Sequence, residues 1–196
     1  MDLKILLGLL AVITALVAYG IYLSSIWRGR TKPHAFSWLL WGLLTGIIFA
    51  AQILKGGGAG AWVTGVSSLI CFLIGIVALF KDERGFSRFD WLFLGAALVA
   101  LGTWFFTKDV TASVVLITLV DVLGYASTIR KGYRYPHEEL ATSFSLNSLK
   151  FVFAIFALQT YSIATVLYPA SLIFMNGFVA ILVVFRRWWA QGRSAF

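Results

Sequence analysis

"YLSSIWRGRTKPH" (22–34) and "YASTIRKGYRYPH" (125–137) align without a gap at an offset of 103 residues. Six of the thirteen positions are identical: Tyr22/Tyr125, Ser24/Ser127, Ile26/Ile129, Gly29/Gly132, Pro33/Pro136 and His34/His137. Most of these are polar or turn-forming, so the match is more than an accident of apolar low complexity. "SLI" at 68–70 returns at 171–173 with the same offset. "IFAAQ" (48–52) resembles "IFALQ" (155–159) after a four-residue insertion placed near "EELA". Self-similarity at one fixed spacing points to two copies of one structural unit.

The solvent for which that unit is built follows from composition. The chain has 196 residues, 60% hydrophobic and 12% charged, with mean hydropathy +0.89. Soluble domains carry about 25% charged residues, and a bilayer-spanning helix needs about 20 apolar ones. Seven apolar runs can be read, at 3–23, 36–54, 61–80, 90–107, 110–129, 140–159 and 163–185. The breaks "TKDV" and "TYSI" are the least marked. The expected class is an all-α membrane protein of seven spans in one bundle. Cys71 is the lone cysteine, so no disulfide framework exists, and it reads as a small core residue.

A net charge of +8 raises the question of nucleic acid, but the basic residues are clustered between apolar runs, which is a topology signal. Alternate sides hold twelve Lys and Arg against three, with Lys150 alone inside a span. The positive-inside rule then puts the N-terminus outside and the C-terminus in the cytoplasm, with the bacterial inner membrane as the expected location. About 20 apolar residues are long for a signal-peptide core, so the first run is read as a span. "RRWWAQGRSAF" (186–196) reads as an interface anchor.

Spans 1–3 and 5–7 are read as parallel copies, with span 4 inverting the chain between them. This divides the chain into a first repeat (1–84), a linker helix (85–109) and a second repeat (110–196). Such a three-plus-one-plus-three plan, with a short basic loop after the first helix of each repeat, resembles the SWEET, SemiSWEET and PQ-loop transporters. The Pnu-type vitamin transporters share a related plan. The resemblance implies alternating-access transport of a small solute. It also makes Asn176 similar to the family's binding-site asparagine in the third helix of a repeat, with Leu73 as its counterpart in the first copy. The Pro-Gln pair of the PQ-loop group is replaced by "LSSIW" and "ASTIR". The SWEET hinge prolines are not expected inside these helices.

An ionisable side chain near the bilayer midplane costs about 2.5–3.5 kcal/mol on insertion scales and is a functional candidate by default. Asp121 and Lys150 are two such residues. Counted from the run boundaries, Asp121 lies ~12 Å deep, Lys150 ~15 Å and Asn176 ~14 Å from the cytoplasmic side, one common layer. Ser143, Asn147 and Lys150 follow i, i+4, i+7 and share a face of helix 6. Two readings stand side by side: an Asp121–Lys150 pair locking helix 5 to helix 6, and a polar cavity where a solute or proton meets these groups. The first repeat has Ala18 where the second has Asp121, and "WGLLTG" (41–46) where the second has the Lys150 region. Trp38 and Trp41 face either lipid and core or a ring-shaped ligand, and Gly42-x-x-x-Gly46 marks close helix packing.

No Ser/His/Asp set, phosphate loop or nucleotide fingerprint is present, and the two Pro-His loops lack close metal-ligand spacing. The expectation is therefore no enzyme, cofactor, metal or nucleic acid. The expected partners are the bilayer, a small polar solute (sugar, amino acid or vitamin-like) and, in some form, a second copy or a membrane complex. Asp121, Asn147, Lys150 and Asn176 are the candidate substrate-binding or proton-coupling residues, with Trp38, Trp41 and Ser143 secondary. The competing class is a non-transporting subunit, sensor or assembly factor.

Overall fold

Asp2 starts the first helix, its carboxylate accepting from the Lys4 amide at 3.1 Å. The computed structural model describes residues 2–29, 33–80 and 88–193. Arg30, Lys32, Lys81 and Arg84 of the basic segments lie outside the described residues. Seven α-helices follow in chain order: α1 Leu3–Trp27, α2 Ala35–Leu54, α3 Trp62–Leu79, α4 Arg88–Thr107, α5 Val110–Arg134, α6 Ala141–Ala157 and α7 Ile163–Arg193. A 3-10 turn, Gly58–Ala61, leads into α3. At the break between α4 and α5, Lys108 takes φ 58° and Asp109 caps α5 by accepting from the amides of Thr111 and Ala112.

Five helices are long and apolar enough to cross a membrane: α1, α2, the Gly58–Leu79 run holding α3, α5 and α7. The apolar parts of α4 (Trp91–Thr107) and α6 (Ala141–Ala157) are shorter. Seventeen residues of α6 rise only ~25 Å, at the short limit for a span. The sequence reading of 140–159 was longer because Leu158, apolar and fully buried, is already extended at φ −61°, ψ 135°. Conversely, α1, α5 and α7 outrun their apolar stretches.

In the first part of the chain α3 lies against both α1 and α2; in the last part α7 lies against both α5 and α6. The two groups meet chiefly where α1 packs on α6, while α2 touches α5 and α7. The helix α4 rests on α5 and α2, and the Ser113 hydroxyl donates to its Ala100 carbonyl at 2.8 Å. Small residues allow this closeness, since in lipid helix association depends on packing and hydrogen bonds. A Cβ on Gly42 would come within 2.9 Å of the Phe72 ring, and one on Gly46 within 3.0 Å of Ser68 Oγ. Ser68 also donates to the Gly42 carbonyl at 2.7 Å, so the Gly42-x-x-x-Gly46 stretch does form a close α2–α3 contact. Large apolar side chains such as Leu16, Leu69, Leu119, Phe174 and Ile181 point outward.

The end carrying the α2–α3 and α6–α7 turns is drawn tightly together; we call it the glycine-turn end. The Gln159 amide donates to the Gly57 carbonyl at 3.2 Å, and Lys4 Nζ donates to the Leu158 carbonyl at 2.8 Å. A Cβ on Gly60 would meet the Ala154 carbonyl at 2.6 Å, a distance at which only glycine fits. Pro169 lies inside α7, a correction to the expectation of proline-free helix interiors. Its missing N–H frees the Thr165 carbonyl, four residues back, from the helical ladder. The buried Gln52 side chain of α2 fills that vacancy, its Nε2 donating to Thr165 O at 3.0 Å.

At the opposite, basic-loop end, Lys131 pairs with Glu139 at 2.8 Å. Arg187 donates to the carbonyls of Pro136 and Glu139, tying the α5–α6 connection to α7. Arg186 lies 4.1 Å from the Tyr133 ring centre and 5.0 Å from that of Trp189.

Candidate functional site

Lys150 projects from the middle of α6, a helix whose other buried residues are Phe151, Ala154 and Ala157. It is only 2% exposed. Because α1 packs on α6, the side chain reaches across to the first group of helices rather than along its own. Its Nζ donates to Tyr19 Oη of α1 and to Ser67 Oγ of α3, each at 3.2 Å. It also lies 4.4 Å from the Tyr19 ring centre and 4.9 Å from that of Phe151. Cationic contact with both ring faces adds electrostatic stabilisation in this dry interior. The Cys71 thiol, also buried, stands 3.7 Å from the Tyr19 hydroxyl.

Asp121 is buried on α5, 3% exposed, and its Oδ2 has no hydrogen-bond partner. No ion pair forms between Asp121 and Lys150. The expected α5–α6 lock is therefore corrected: α7 stands between these helices, and Lys150 turns to α1 and α3 instead. Asn176 is buried on α7, its Nδ2 donating to the Leu172 carbonyl at 2.8 Å and its side chain beside the Tyr125 hydroxyl. Tyr125 is one helical turn from Asp121. The predicted quartet thus divides in two: Lys150 and, half-buried on the same helix, Asn147 on α6, with Asp121 and Asn176 on α5 and α7.

Tyr168 is common to both parts. This largest of the fully buried side chains lies within electrostatic reach of Asp121 and Tyr125 on one side and of Cys71 and Tyr19 on the other. Asn147 and Ser143 continue the Lys150 face towards the basic-loop end; both are half-buried and take no part in the Lys150 contacts. Trp38 is a core residue: it meets Tyr19 edge-on at 6.3 Å and Trp41 at 5.4 Å, and its Nε1 donates to Tyr22 Oη at 3.3 Å. It buttresses the ring that faces Lys150. Leu73, the expected counterpart of Asn176, is 54% exposed on the outer surface and belongs to no interior site.

Tyr19, Ser67, Cys71 and Tyr168 were not singled out as site residues from sequence. A signal existed in "LVAYGIY" (16–22) and "VSSLICF" (66–72), where polar atoms interrupt apolar runs near mid-span. What was missing was the neighbour relation that brings α1 and α3 to α6.

The set around Lys150 is rich in donors and poor in charge acceptors. It holds an ammonium, two hydroxyls and a thiol, with no carboxylate in contact. Asp121 has the opposite deficit, since its Oδ2 has no donor. No family model, no curated protein and no solved structure matches the chain.

Proposed function

We propose that the chain is a small membrane transporter that moves a small polar solute by alternating access, its two three-helix units rocking about the buried polar layer. The observation that carries this reading is a buried lysine that crosses the seam between the units, with a buried aspartate on α5 that it does not neutralise. A purely structural charge pair would be expected to close on itself, because an uncompensated buried charge costs several kcal/mol. Leaving both charges open to a third party is the arrangement a binding site needs.

The three-plus-one-plus-three organisation, with units at 1–84 and 110–196 and a linker at 85–109, is supported by matching burial. Ala11, Ala15 and Ala18 of α1 are buried, as are Val114, Thr118 and Asp121 at an offset of 103. Thr64, Ser67, Ser68, Cys71, Gly75 and Ala78 of α3 are buried, as are Thr165, Tyr168, Pro169, Leu172, Asn176 and Val179 at an offset of 101. In this register Gly75, not Leu73, stands for Asn176. The third helix of each unit lies between the other two. All seven helices are taken as spans, the shorter α4 and α6 included, with the N-terminus outside and the C-terminus in the cytoplasm of the bacterial inner membrane. The charge asymmetry of the loops supports that orientation. Asp121 is assigned to proton coupling or to a cationic group of the solute, Lys150 to its counter-charge or to an anionic group of the solute, and Asn147 and Asn176 to hydrogen bonds.

The reading is tested by uptake of labelled solutes into liposomes holding the purified protein. Wild type should exceed empty vesicles for at least one solute, and Asp121→Asn should lower that uptake. Vesicles indistinguishable from empty ones across sugars, amino acids, organic acids and vitamins would remove the reading. A second reading, a non-transporting subunit of a membrane complex, is favoured by the outer face of α4, where Trp91, Phe105 and Phe106 are strongly exposed. Co-purification at fixed stoichiometry without any ligand-dependent stabilisation would support it.

A further inference from the structure

The substrate class follows from a count of donors and acceptors around Lys150, given the transport reading on which this step rests. An ammonium has three N–H donors. Two are used on the hydroxyls of Tyr19 and Ser67, and among the described residues no acceptor is found for the third. Both contacts measure 3.2 Å, the long end of the normal range, so the ammonium is held loosely by neutral groups. The Tyr19 hydroxyl is also engaged by the Cys71 thiol at 3.7 Å and by the Ser67 side chain, so the ammonium is the donor left open. Groups of α1, α3 and α6 therefore converge on one ammonium, and among the described residues no carboxylate touches it. The rings of Tyr19 and Phe151, at 4.4 and 4.9 Å, flank the ammonium with flat apolar walls.

We propose that the Lys150–Tyr19–Ser67 cluster is an anion site that takes the carboxylate of a small organic acid. A carboxylate oxygen accepts from the open N–H and brings the single negative charge that the ammonium lacks. A phosphate dianion would need more than one cation, and a neutral sugar would leave the ammonium uncompensated. The site joins both helix units, so the bound acid touches both, as a carried solute must.

The test uses the purified full chain in detergent, with thermal unfolding followed by tryptophan fluorescence. The probes are propionate, lactate and 3-phenylpropionate, each against its uncharged amide, with glucose alongside. At least one acid should raise the midpoint while its amide does not. Ser67→Ala, which keeps the charge and removes one small hydroxyl, should weaken that acid about 10-fold or more. Lys150→Met should abolish the effect. The assignment is overturned if none of the acids stabilises, if an amide or glucose does so equally, or if Lys150→Met responds like wild type. Liposomes that take up glucose without any binding of acids would sink this assignment and leave the transport reading standing. Failure of uptake for every class of solute would remove the transport reading itself.

Discussion

Replacing Lys150 by methionine separates a structural lock from a site held open. Methionine keeps most of the length and removes the ammonium. The lost interactions are two hydrogen bonds from a charged donor, about 1.5–3 kcal/mol each. The relief from no longer holding a charge in mid-membrane is about 2.5–3.5 kcal/mol. Tyr19 retains the Cys71 thiol as a neighbour at 3.7 Å, so its hydroxyl is not stranded. The net change therefore lies between about −0.5 and +3.5 kcal/mol, centred near 1.5. Had Lys150 been paired with Asp121, the same change would cost about 3–5 kcal/mol by leaving a buried carboxylate alone. The sharper quantity is the coupling in a cycle of Lys150→Met with Asp121→Asn. Without a contact it should stay below about 0.5 kcal/mol, and Asp121→Asn alone should be neutral or stabilising because Oδ2 already lacks a partner. Reversible unfolding in mixed detergent micelles, read by the fluorescence of the eight tryptophans, measures all four corners. A coupling above about 1.5 kcal/mol would refute the reasoning, since only an ion pair or shared network reaches that size.

The same logic applies to Gln52 and Pro169. Gln52→Leu should cost about 1–3 kcal/mol by stranding the Thr165 carbonyl. In a Pro169→Ala background, where the restored amide can take that carbonyl, the cost should fall below about 1 kcal/mol; an equal cost in both backgrounds would contradict the account. Orientation can be read with single cysteines in a Cys71→Ala chain. A thiol at Lys55 should react with an impermeant maleimide added outside intact cells and one at His137 should not; the reverse pattern would invert the topology.

The helices were legible because lipid demands long apolar runs, although the two-residue break at Lys108–Asp109, where Asp109 caps α5, was among the least marked. Hydropathy marks where lipid ends, however, and not where a helix ends. Residues such as Lys131, Arg134 and Arg187 are good helix formers in water, so α5 and α7 continue well past their apolar stretches. The polar layer was legible for the same reason that it is costly: charges and asparagines stand out among leucines. Spacing also placed Ser143, Asn147 and Lys150 correctly on one face. It could not say which helix that face meets. The pairing with Asp121 assumed that consecutive helices are neighbours, whereas α7 stands between α5 and α6 and gives Lys150 to α1 and α3. Tyr19 and Ser67 were missed on that account. In the proposed two-copy reading, burial pairs α3 with α7 at an offset of 101, two residues from the 103 of the "SLI" match.

The central claim is that the two helix units part and close at the glycine-turn end to pass a solute. Gly56 in the α2–α3 turn and Thr160 in the α6–α7 turn belong to different units, and a Cβ built on Gly56 lies 3.7 Å from the Thr160 Cβ, within the 3.5–4.5 Å span of a disulfide. A Gly56→Cys/Thr160→Cys chain without Cys71 accepts some backbone strain at φ +71° but can bolt that end shut. Uptake into liposomes should stop when the pair is oxidised and return when it is reduced. An oxidised, fully cross-linked protein that carries solute as fast as the reduced one would contradict the account.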